Sequence, residues 1–250
     1  MNNILSLKDL CKSYGNRKVV NNLNLSVTSG ESIGFLGPNG AGKSTTIKLI
    51  SGIENPDGGN IFYNDTPVSQ CSKKFKSILG VVPQDISFYD DLSTYDNASF
   101  FCSLYGFKGS ELKRRVEETL SFVGLWDRKD DRPKDFSGGM KRRLNIACSI
   151  AHSPEILILD EPTVGIDPQS RNYILEALKK LNEKGTTIIY VSHYMEEIEA
   201  ICNRIVIMDN GNKIVDQSKN SLKECYKDSN LNSLEEIFLH LTGTALREED

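Results

Sequence analysis

A short glycine-rich stretch, GPNGAGKST, has the residue types and spacing of a phosphate-binding loop. Its glycines allow backbone torsions that a side chain would forbid, so that successive N–H groups can point at phosphate oxygens. A buried-strand pattern, SIGFLG, precedes the loop. A helix pattern, KSTTIKLISG, follows the loop, adds the positive end of a helix dipole and is predicted to end at Gly52. An ordinary glycine turn is the alternative, but it would not require lysine and serine at these positions. The predicted phosphate contacts are Gly37, Pro38, Asn39, Gly40, Ala41, Gly42, Lys43, Ser44 and Thr45.

Within this loop, Lys43 is placed to reach the β- and γ-phosphates, and the Ser44 hydroxyl to ligate Mg²⁺. Two carboxylates follow a second buried-strand pattern, ILILDEP, and would lie at the same sheet edge as the loop. Asp160 is predicted to hold Mg²⁺ through its waters, and Glu161 to act as general base on the attacking water. A plain turn or N-cap pair of carboxylates would be a competitive interpretation without the phosphate loop, but not beside it.

Two further polar residues end strand patterns. Gln84 ends the apolar strand pattern at VVPQD and opens the helical part of the chain. A glutamine there can both ligate the metal and orient a water. His193 follows IIYVS and is predicted to donate to the γ-phosphate, although a lone histidine is more often structural. His152 and His240 have no such context and are interpreted as structural or exposed.

A second glycine pair opens another helix pattern, FSGGMKRRLNIA. Ser137, Gly138 and Gly139 would expose backbone N–H groups at the positive end of that helix, as in the phosphate loop. This stretch lacks the phosphate-loop lysine and a metal ligand. A plain helix start with Ser137 as N-cap also fits, and both interpretations can hold at once.

The elements around these residues alternate strand and helix, which predicts an α/β core with a parallel sheet. Residues 4–30 predict antiparallel strands, and the pattern from 92 to 150 becomes helical, as an insertion into the core. Asn210-Gly211 predicts a hairpin turn. Ser233 and Glu236 have capping-box spacing for a last helix, and the final REED predicts a solvated tail.

The composition is ordinary for a globular protein, with 250 residues, 38% hydrophobic and 26% charged, which suits one large domain or two joined subdomains. The net charge of −4 disfavours nucleic acid as a partner. No apolar run approaches the roughly 20 residues of a membrane span, and we expect no secretory signal. The 6 cysteines lack CxxC pairs, which favours buried thiols in a reducing compartment and therefore the cytoplasm.

Together these residues resemble the nucleotide-binding subunit of an ATP-binding cassette (ABC) transporter, over essentially the whole chain. The resemblance rests on seven motifs in the family's order: KSYG, GPNGAGKST, Gln84, FSGGM, ILILDE, VGID and His193. It implies a P-loop NTPase (RecA-like) core with an antiparallel β-subdomain and an inserted α-helical subdomain. The implied division is about 1–90 and 151–230 for the β-subdomain and core, about 91–150 for the helical subdomain, and about 231–250 for a C-terminal helix and tail.

The resemblance also implies ATP and Mg²⁺ as ligands and a head-to-tail dimer, expected to be a homodimer. Tyr14 would stack on adenine, although a strand-edge aromatic is the alternative, and Asp167 would lie at the dimer interface. Ser137 and Gly139 would contact ATP that Lys43 of a second copy holds. The signature departs from the family's pattern at Phe136, usually leucine, and at Met140, often glutamine. No departure touches Lys43, so we expect a working ATPase.

A finer likeness, at TVGIDPQSR, SHYMEEIEAICNRIVIMDNG and LEEIFLHLTG, is to the ABC-2 group, whose partners are commonly exporters. It implies an integral membrane permease as partner, docked near Gln84 and the segment DISFYDDLSTYDN, with the subunit peripheral on the inner face of the cell membrane. Two alternatives stay open. One is a soluble ABC ATPase in a non-transport assembly process, and the other is a nucleotide-binding regulator without turnover.

Overall fold

The computed structural model describes residues 3–227, 231 and 233–243, so the predicted REED tail lies outside the described residues. The described part forms ten strands: β1 Asn3–Tyr14, β2 Arg17–Thr28, β3 Ser32–Leu36, β4 Gly58–Tyr63, β5 Thr66–Pro67, β6 Leu79–Val82, β7 Ile156–Asp160, β8 Thr187–Val191, β9 Arg204–Asp209 and β10 Asn212–Ser218. It forms nine α-helices: α1 Lys43–Ser51, α2 Val68–Ile78, α3 Thr94–Ser103, α4 Gly109–Phe122, α5 Gly138–Ile150, α6 Pro168–Glu183, α7 Met195–Ile201, α8 Lys219–Tyr226 and α9 Leu234–Thr242.

The chain divides into two compact units. The described residues within 1–76 and 187–250 form the first, here called the phosphate-loop unit, and residues 77–186 form the second, the helical unit. The phosphate-loop unit contains an antiparallel sheet in the order β2-β1-β4-β5. Along β2 from Val20 to Val27, buried and exposed side chains largely alternate, because one face of the sheet covers the core and the other meets solvent. The predicted antiparallel strands of residues 4–30 are therefore confirmed.

The phosphate-loop unit also contains four strands in the order β10-β9-β3-β8. β3 pairs in parallel with β8 on one side and β9 on the other, and all five of its residues are buried. A strand covered on both faces reads as a continuous apolar run, which explains SIGFL in the sequence. Gly34 has no side chain where Ile198 of α7 approaches, so this helix packs directly on β3.

In the helical unit, β6 and β7 pair in parallel, and helices α3, α4 and α5 pack on one another. These helices and strands agree with the sequence predictions. No membrane-spanning helix is present in the described residues, since none is both long and apolar enough. The domain boundaries implied by the family resemblance stay a prediction.

Two helices were missed from the sequence, α2 and α8. Each buries one residue, Phe75 in α2 and Leu222 in α8. The spacing of Val68, Cys71, Phe75 and Ile78 in α2 is nevertheless that of a helix and could have indicated it. A non-helical conformation at Cys71 interrupts α2. The sequence signals for turns and helix ends were more reliable than those for whole helices, because each depends on only a few neighbouring residues.

Three of those local signals are confirmed. Gly52 ends α1 with a left-handed φ of 71°. Asn210 and Gly211 have φ of 46° and 76°, as a tight hairpin between β9 and β10 requires. At the start of α9, Ser233 accepts from Glu236 N–H while the Glu236 carboxylate accepts from Ser233 N–H, which is the predicted capping box.

Candidate active site

The phosphate loop connects β3 to α1 in the phosphate-loop unit. Gly40 and Gly42 have φ of 72° and 101°, in the left-handed region that glycine adopts readily. A β-carbon on Gly42 would collide with the main-chain carbonyl of Val19, so only glycine fits there. Helix α1 has no acidic residue in its first turn, which leaves the positive end of its dipole for an anion.

Lys43 closes back over this loop. Its buried ammonium donates to the carbonyl of Gly37 at 2.7 Å and to that of Pro38 at 3.1 Å. Ser44, the next residue, is exposed in the first turn of α1. The Thr46 hydroxyl donates to the Gly42 carbonyl at 2.8 Å and anchors the helix start. The loop is therefore held together by its own lysine, with a hydroxyl beside it that solvent or a metal can reach.

His193 belongs to the same unit and the same sheet edge. β3 and β8 are parallel, and Phe35 pairs with Val191, so Gly37 and His193 each lie two residues beyond that pair. His193 itself is exposed, between Ser192, which is buried, and Tyr194. The register thus brings the histidine to the strand edge that carries the phosphate loop, as predicted from the sequence.

Tyr14 ends β1 with 46% of its surface exposed. Its hydroxyl donates to the Glu54 carboxylate, and this hydrogen bond raises the pKa of the Tyr14 phenol. The Lys12 ammonium lies 5.8 Å from the ring centroid. The exposed ring offers a surface on which an aromatic base can stack. Its anchoring to Glu54 was not anticipated, since the two residues are 40 positions apart.

The helical unit holds the predicted metal and water residues. Val82 of β6 pairs with Leu159 of β7, so the strands end side by side, and Gln84 comes level with Glu161. The Gln84 amide donates to the Glu161 carboxylate at 3.3 Å. Asp160 is the last residue of β7, next to this pair. The structure therefore brings Gln84 next to Asp160 and Glu161, although 77 positions separate Gln84 from Glu161 in the sequence.

Glu161 has a φ of 48°, which is uncommon for a residue with a side chain. Such a conformation costs on the order of 1 kcal/mol and persists where the surroundings impose it, often at functional sites. Pro162 and Thr163, which follow, are buried and fix the chain immediately after the turn. The left-handed backbone at Glu161 and the hydrogen bond from Gln84 together orient the Glu161 carboxylate.

The second glycine pair opens α5 in the helical unit. Ser137 is its N-cap, and its hydroxyl accepts from Met140 N–H at 3.3 Å, so the capping interpretation is confirmed. Ser137 and Gly138 are exposed, whereas Gly139 is buried against Ser170. Phe136, one of the two departures from the family pattern, is also buried and therefore belongs to the core of this unit.

Asp167 has a local role that was not predicted. It is the N-cap of α6, where its carboxylate accepts from Ser170 N–H at 2.9 Å. Hydrogen bonds from the Ser170 N–H and hydroxyl lower the pKa of this carboxyl. The same two residues lie beside Gly139. The VGID turn and the start of α5 thus pack together within one chain.

Arg142 is a further residue that sequence reasoning missed. Its buried guanidinium donates from α5 to the carbonyls of Pro83 at 2.9 Å and Gln84 at 2.7 Å. In the sequence it is one of three consecutive basic residues, and no local signal separates it from its neighbours. Arg142 therefore connects α5, the helix that begins after Ser137, to Gln84, whose side chain contacts Glu161.

The two remaining histidines lie away from these groups. His152 is buried and stacked on Tyr105 at 3.6 Å between ring centroids, and burial lowers its pKa to about 4. His240 is exposed on α9 near Tyr226. Their interpretation as structural or exposed side chains agrees with these positions.

A phosphate loop with its lysine, an Asp-Glu pair at a strand end, and a Ser-Gly-Gly helix start define an ATP-binding cassette. The family described as ABC transporter matches residues 20–164 of the chain. The chain therefore belongs to the ABC transporter family and is its ATP-hydrolysing subunit, with the P-loop NTPase fold that the sequence predicts.

Several known proteins are similar. The linearmycin resistance ATP-binding protein LnrL of Bacillus subtilis is 49% identical over 219 residues, which cover 88% of this chain and 70% of that protein. The Nod factor export ATP-binding protein I of Cupriavidus metallidurans is 39% identical over 222 residues, covering 89% and 73%. Among solved structures, a dimeric ATP-binding cassette in a post-hydrolysis state, bound to ADP and Pi, matches with a TM-score of 0.77 at 26% identity, covering 86% of this chain and 98% of that one.

Substitution of Gly139 by alanine tests the packing at the start of α5. The new β-carbon would collide with the Ser170 side chain, so we expect a loss of about 1–3 kcal/mol in the free energy of unfolding, measured in urea. Gly138→Ala is the matched control, because its β-carbon would lie 3.7 Å from its nearest neighbour, the Gly165 carbonyl. Ser170→Gly should restore part of the stability of Gly139→Ala, because it removes the collision but also the hydrogen bond of the Ser170 hydroxyl to Asp167. Equal losses in the two alanine variants would contradict this packing.

Proposed function

We propose that this chain is the ATPase subunit of a membrane exporter and that it works as a homodimer with two shared ATP sites. In each site the phosphate loop and Lys43 of one copy hold the ATP, and Ser137, Gly138 and Gly139 of the other copy close over the γ-phosphate. The observation that carries this proposal is the exposed start of α5, where Ser137 and Gly138 face solvent at the positive end of a 13-residue helix. Membership of the family supports the pairing of the two helix starts.

Hydrolysis in this proposal requires a base, an orienting group and an electrophile. Glu161 accepts a proton from the attacking water, and Gln84 fixes its carboxylate through the 3.3 Å hydrogen bond. Lys43 and His193 stabilise the charge that develops on the γ-phosphate. Tyr14 stacks on adenine, and Asp167 contributes to the dimer interface beside the start of α5.

The donor set fits Mg²⁺. This ion prefers hard oxygen ligands, and the chain offers the exposed Ser44 hydroxyl, the Gln84 amide oxygen and the Asp160 carboxylate. When bound, Mg²⁺ would neutralise charge on the β- and γ-phosphates. The protein residues then have the simpler tasks of binding, orientation and proton transfer.

Export is supported by the relatives, whose names give linearmycin resistance and Nod factor export as their roles. In this proposal the subunit lies in the cytoplasm, against the inner face of the membrane, and moves a separate permease. ATP favours the closed dimer over the open one, so binding and hydrolysis can shift the permease between two states.

The permease would dock on the segment that follows Gln84. Ile86, Tyr89 and Leu92 expose 41%, 51% and 36% of their surfaces there. The buried Asn97 side chain holds the segment, because it accepts from Tyr89 N–H at 2.8 Å and donates to the Tyr89 carbonyl at 2.9 Å. An apolar surface on a fixed backbone suits a partner helix, and its attachment to Gln84 would link docking to hydrolysis.

The base assignment is tested by Glu161→Gln. Turnover of ATP should fall at least about 100-fold, because the glutamine cannot take the proton, while ATP binding persists. Glu155→Gln is the matched control, since Glu155 directly precedes the opposite end of β7, and it should leave turnover unchanged. Unchanged turnover in Glu161→Gln would refute the assignment of Glu161 as the base. Absence of turnover in the unsubstituted protein would instead favour the nucleotide-binding regulator.

The shared site is tested by Ser137→Arg. The arginine should block closure over the partner's ATP, so turnover is lost while ATP binding to the monomer stays near normal. Lys43→Ala should lose ATP binding itself. Mixing these two inactive variants should restore part of the turnover, because one site in each mixed dimer is then intact. Loss of monomer binding in Ser137→Arg would show that the Ser-Gly-Gly start belongs to its own chain's site.

The exporter assignment is tested by purification from a detergent extract. We expect a multi-span membrane protein to accompany the chain and Ile86→Glu to release it, while the isolated subunit keeps its ATPase activity. Ile53→Glu is the control, because Ile53 is 71% exposed in the phosphate-loop unit, away from this segment in the sequence. A purely soluble partner would favour the alternative of an assembly ATPase.

A further inference from the structure

A buried carboxylate follows the candidate histidine by four residues. Glu197 lies in the first turn of α7 with 0% of its surface exposed. A carboxylate without water must receive hydrogen bonds, since its desolvation is otherwise costly. Two hydroxyls donate to its Oε2 atom: that of Tyr190 at 2.7 Å and that of Ser192 at 3.0 Å. Both donors are buried as well.

The Ser192 hydroxyl makes a second bond. Its oxygen accepts from Tyr194 N–H at 3.0 Å, so one hydroxyl joins Glu197 to the residues on both sides of His193. The Glu197 N–H donates to the Tyr194 carbonyl at 3.1 Å and closes the same turn. His193 is thus the exposed middle residue of a three-residue turn. The other two residues, Ser192 and Tyr194, are held by hydrogen bonds to each other and to Glu197.

The turn is also fixed relative to the phosphate loop. Helix α7, which carries Glu197, packs on β3 at Gly34, where Ile198 fills the space that a side chain would take. β3 leads into the phosphate loop, and its register with β8 brings His193 level with Gly37. Glu197 therefore connects the helix that is packed on β3 to the turn that presents the histidine at the end of β8.

We propose that Glu197, acting through the Ser192 hydroxyl, is a positioning residue for His193. Its side chain is fully buried, and its effect is to hold the imidazole in one place at the edge of the phosphate loop. This inference rests on the proposed contact between His193 and the γ-phosphate. A displacement of about 1 Å in such a group can cost on the order of 100-fold in rate, so a fixed turn has a catalytic value beyond stability.

The two donors to Glu197 separate positioning from stability. Ser192→Ala removes the link to the turn, whereas Tyr190→Phe removes a buried hydrogen bond from the same carboxylate and leaves the turn bonded. We expect both variants to lower the urea midpoint of unfolding by similar amounts. Ser192→Ala should lower kcat on the order of 10-fold to 100-fold with KM for ATP nearly unchanged, and Tyr190→Phe should keep kcat within about 2-fold. Ser192→Thr, which keeps the hydroxyl, should recover most of the rate.

His193→Ala distinguishes failure of this inference from failure of the proposed function. If His193→Ala leaves kcat unchanged, the role of the histidine is wrong, and the positioning role fails with it. If His193→Ala lowers kcat, then Ser192→Ala in that background should lower it no further, because nothing is left to position. A normal kcat in folded Ser192→Ala, an equal loss in Tyr190→Phe, or a full additional loss in the double variant would each overturn the proposal.

Discussion

The structure of the phosphate-loop unit depends on one requirement, that a short run of backbone N–H groups be held in place before an anion arrives. Glycine makes the torsions of such a loop accessible but does not select them, because an unsupported glycine loop has many conformations. The selection comes from close packing around the loop. A β-carbon on Gly37 would lie 2.5 Å from the Met208 carbonyl of β9, and one on Gly42 would strike the Val19 carbonyl of β2. Backbone from two strands therefore encloses the loop on sides where only hydrogen atoms fit.

Helix α1 lacks the side-chain N-cap that five other described helices have, as do α4 and α7. α3, α5, α6, α8 and α9 begin at a serine or aspartate whose side chain accepts from a first-turn N–H. α1 begins after Gly42, which has no side chain to do so. The free donors at a helix start are ordinarily satisfied by a cap, so the uncapped start after a glycine loop suits a phosphate. At α5 the cap and the exposed glycine coexist, which is compatible with the proposed site that a second copy completes.

The helical unit relies on hydrogen bonds from α5. Arg142 donates to the carbonyls of Pro83 and Gln84. The Asn145 side chain accepts from Ser87 N–H at 3.2 Å. The Ser149 hydroxyl donates to the Val81 carbonyl at 2.8 Å. Three side chains along one helix thus hold β6 and the segment after it. A partner that moves this segment would meet resistance from the same helix that begins at Ser137, which gives the proposed coupling a physical route within the unit.

The local sequence was sufficient to predict most of the secondary structure and the phosphate loop. The type and order of nearly all strands and helices, the hairpin at Asn210-Gly211, the cap at Ser233 and the phosphate loop depend on a few adjacent residues, whose torsions and periodicity are visible in the chain. α2 and α8 were not predicted, although the three- and four-residue spacing of their apolar side chains is that of a helix.

Other features needed the tertiary structure, since they join residues that only strand pairing and helix packing bring together. The contact of Gln84 with Glu161 across 77 positions, the anchoring of Tyr14 by Glu54, the left-handed conformation of Glu161 and the packing of Asp167 near Gly139 are of this kind. The sequence by itself determined which chemical groups the protein has and on which elements they stand. Only the tertiary structure decided which of them meet and which buried groups, Glu197 and Arg142 among them, hold the others in place, because a hydrogen bond between residues far apart in the sequence depends on distances that no local pattern encodes.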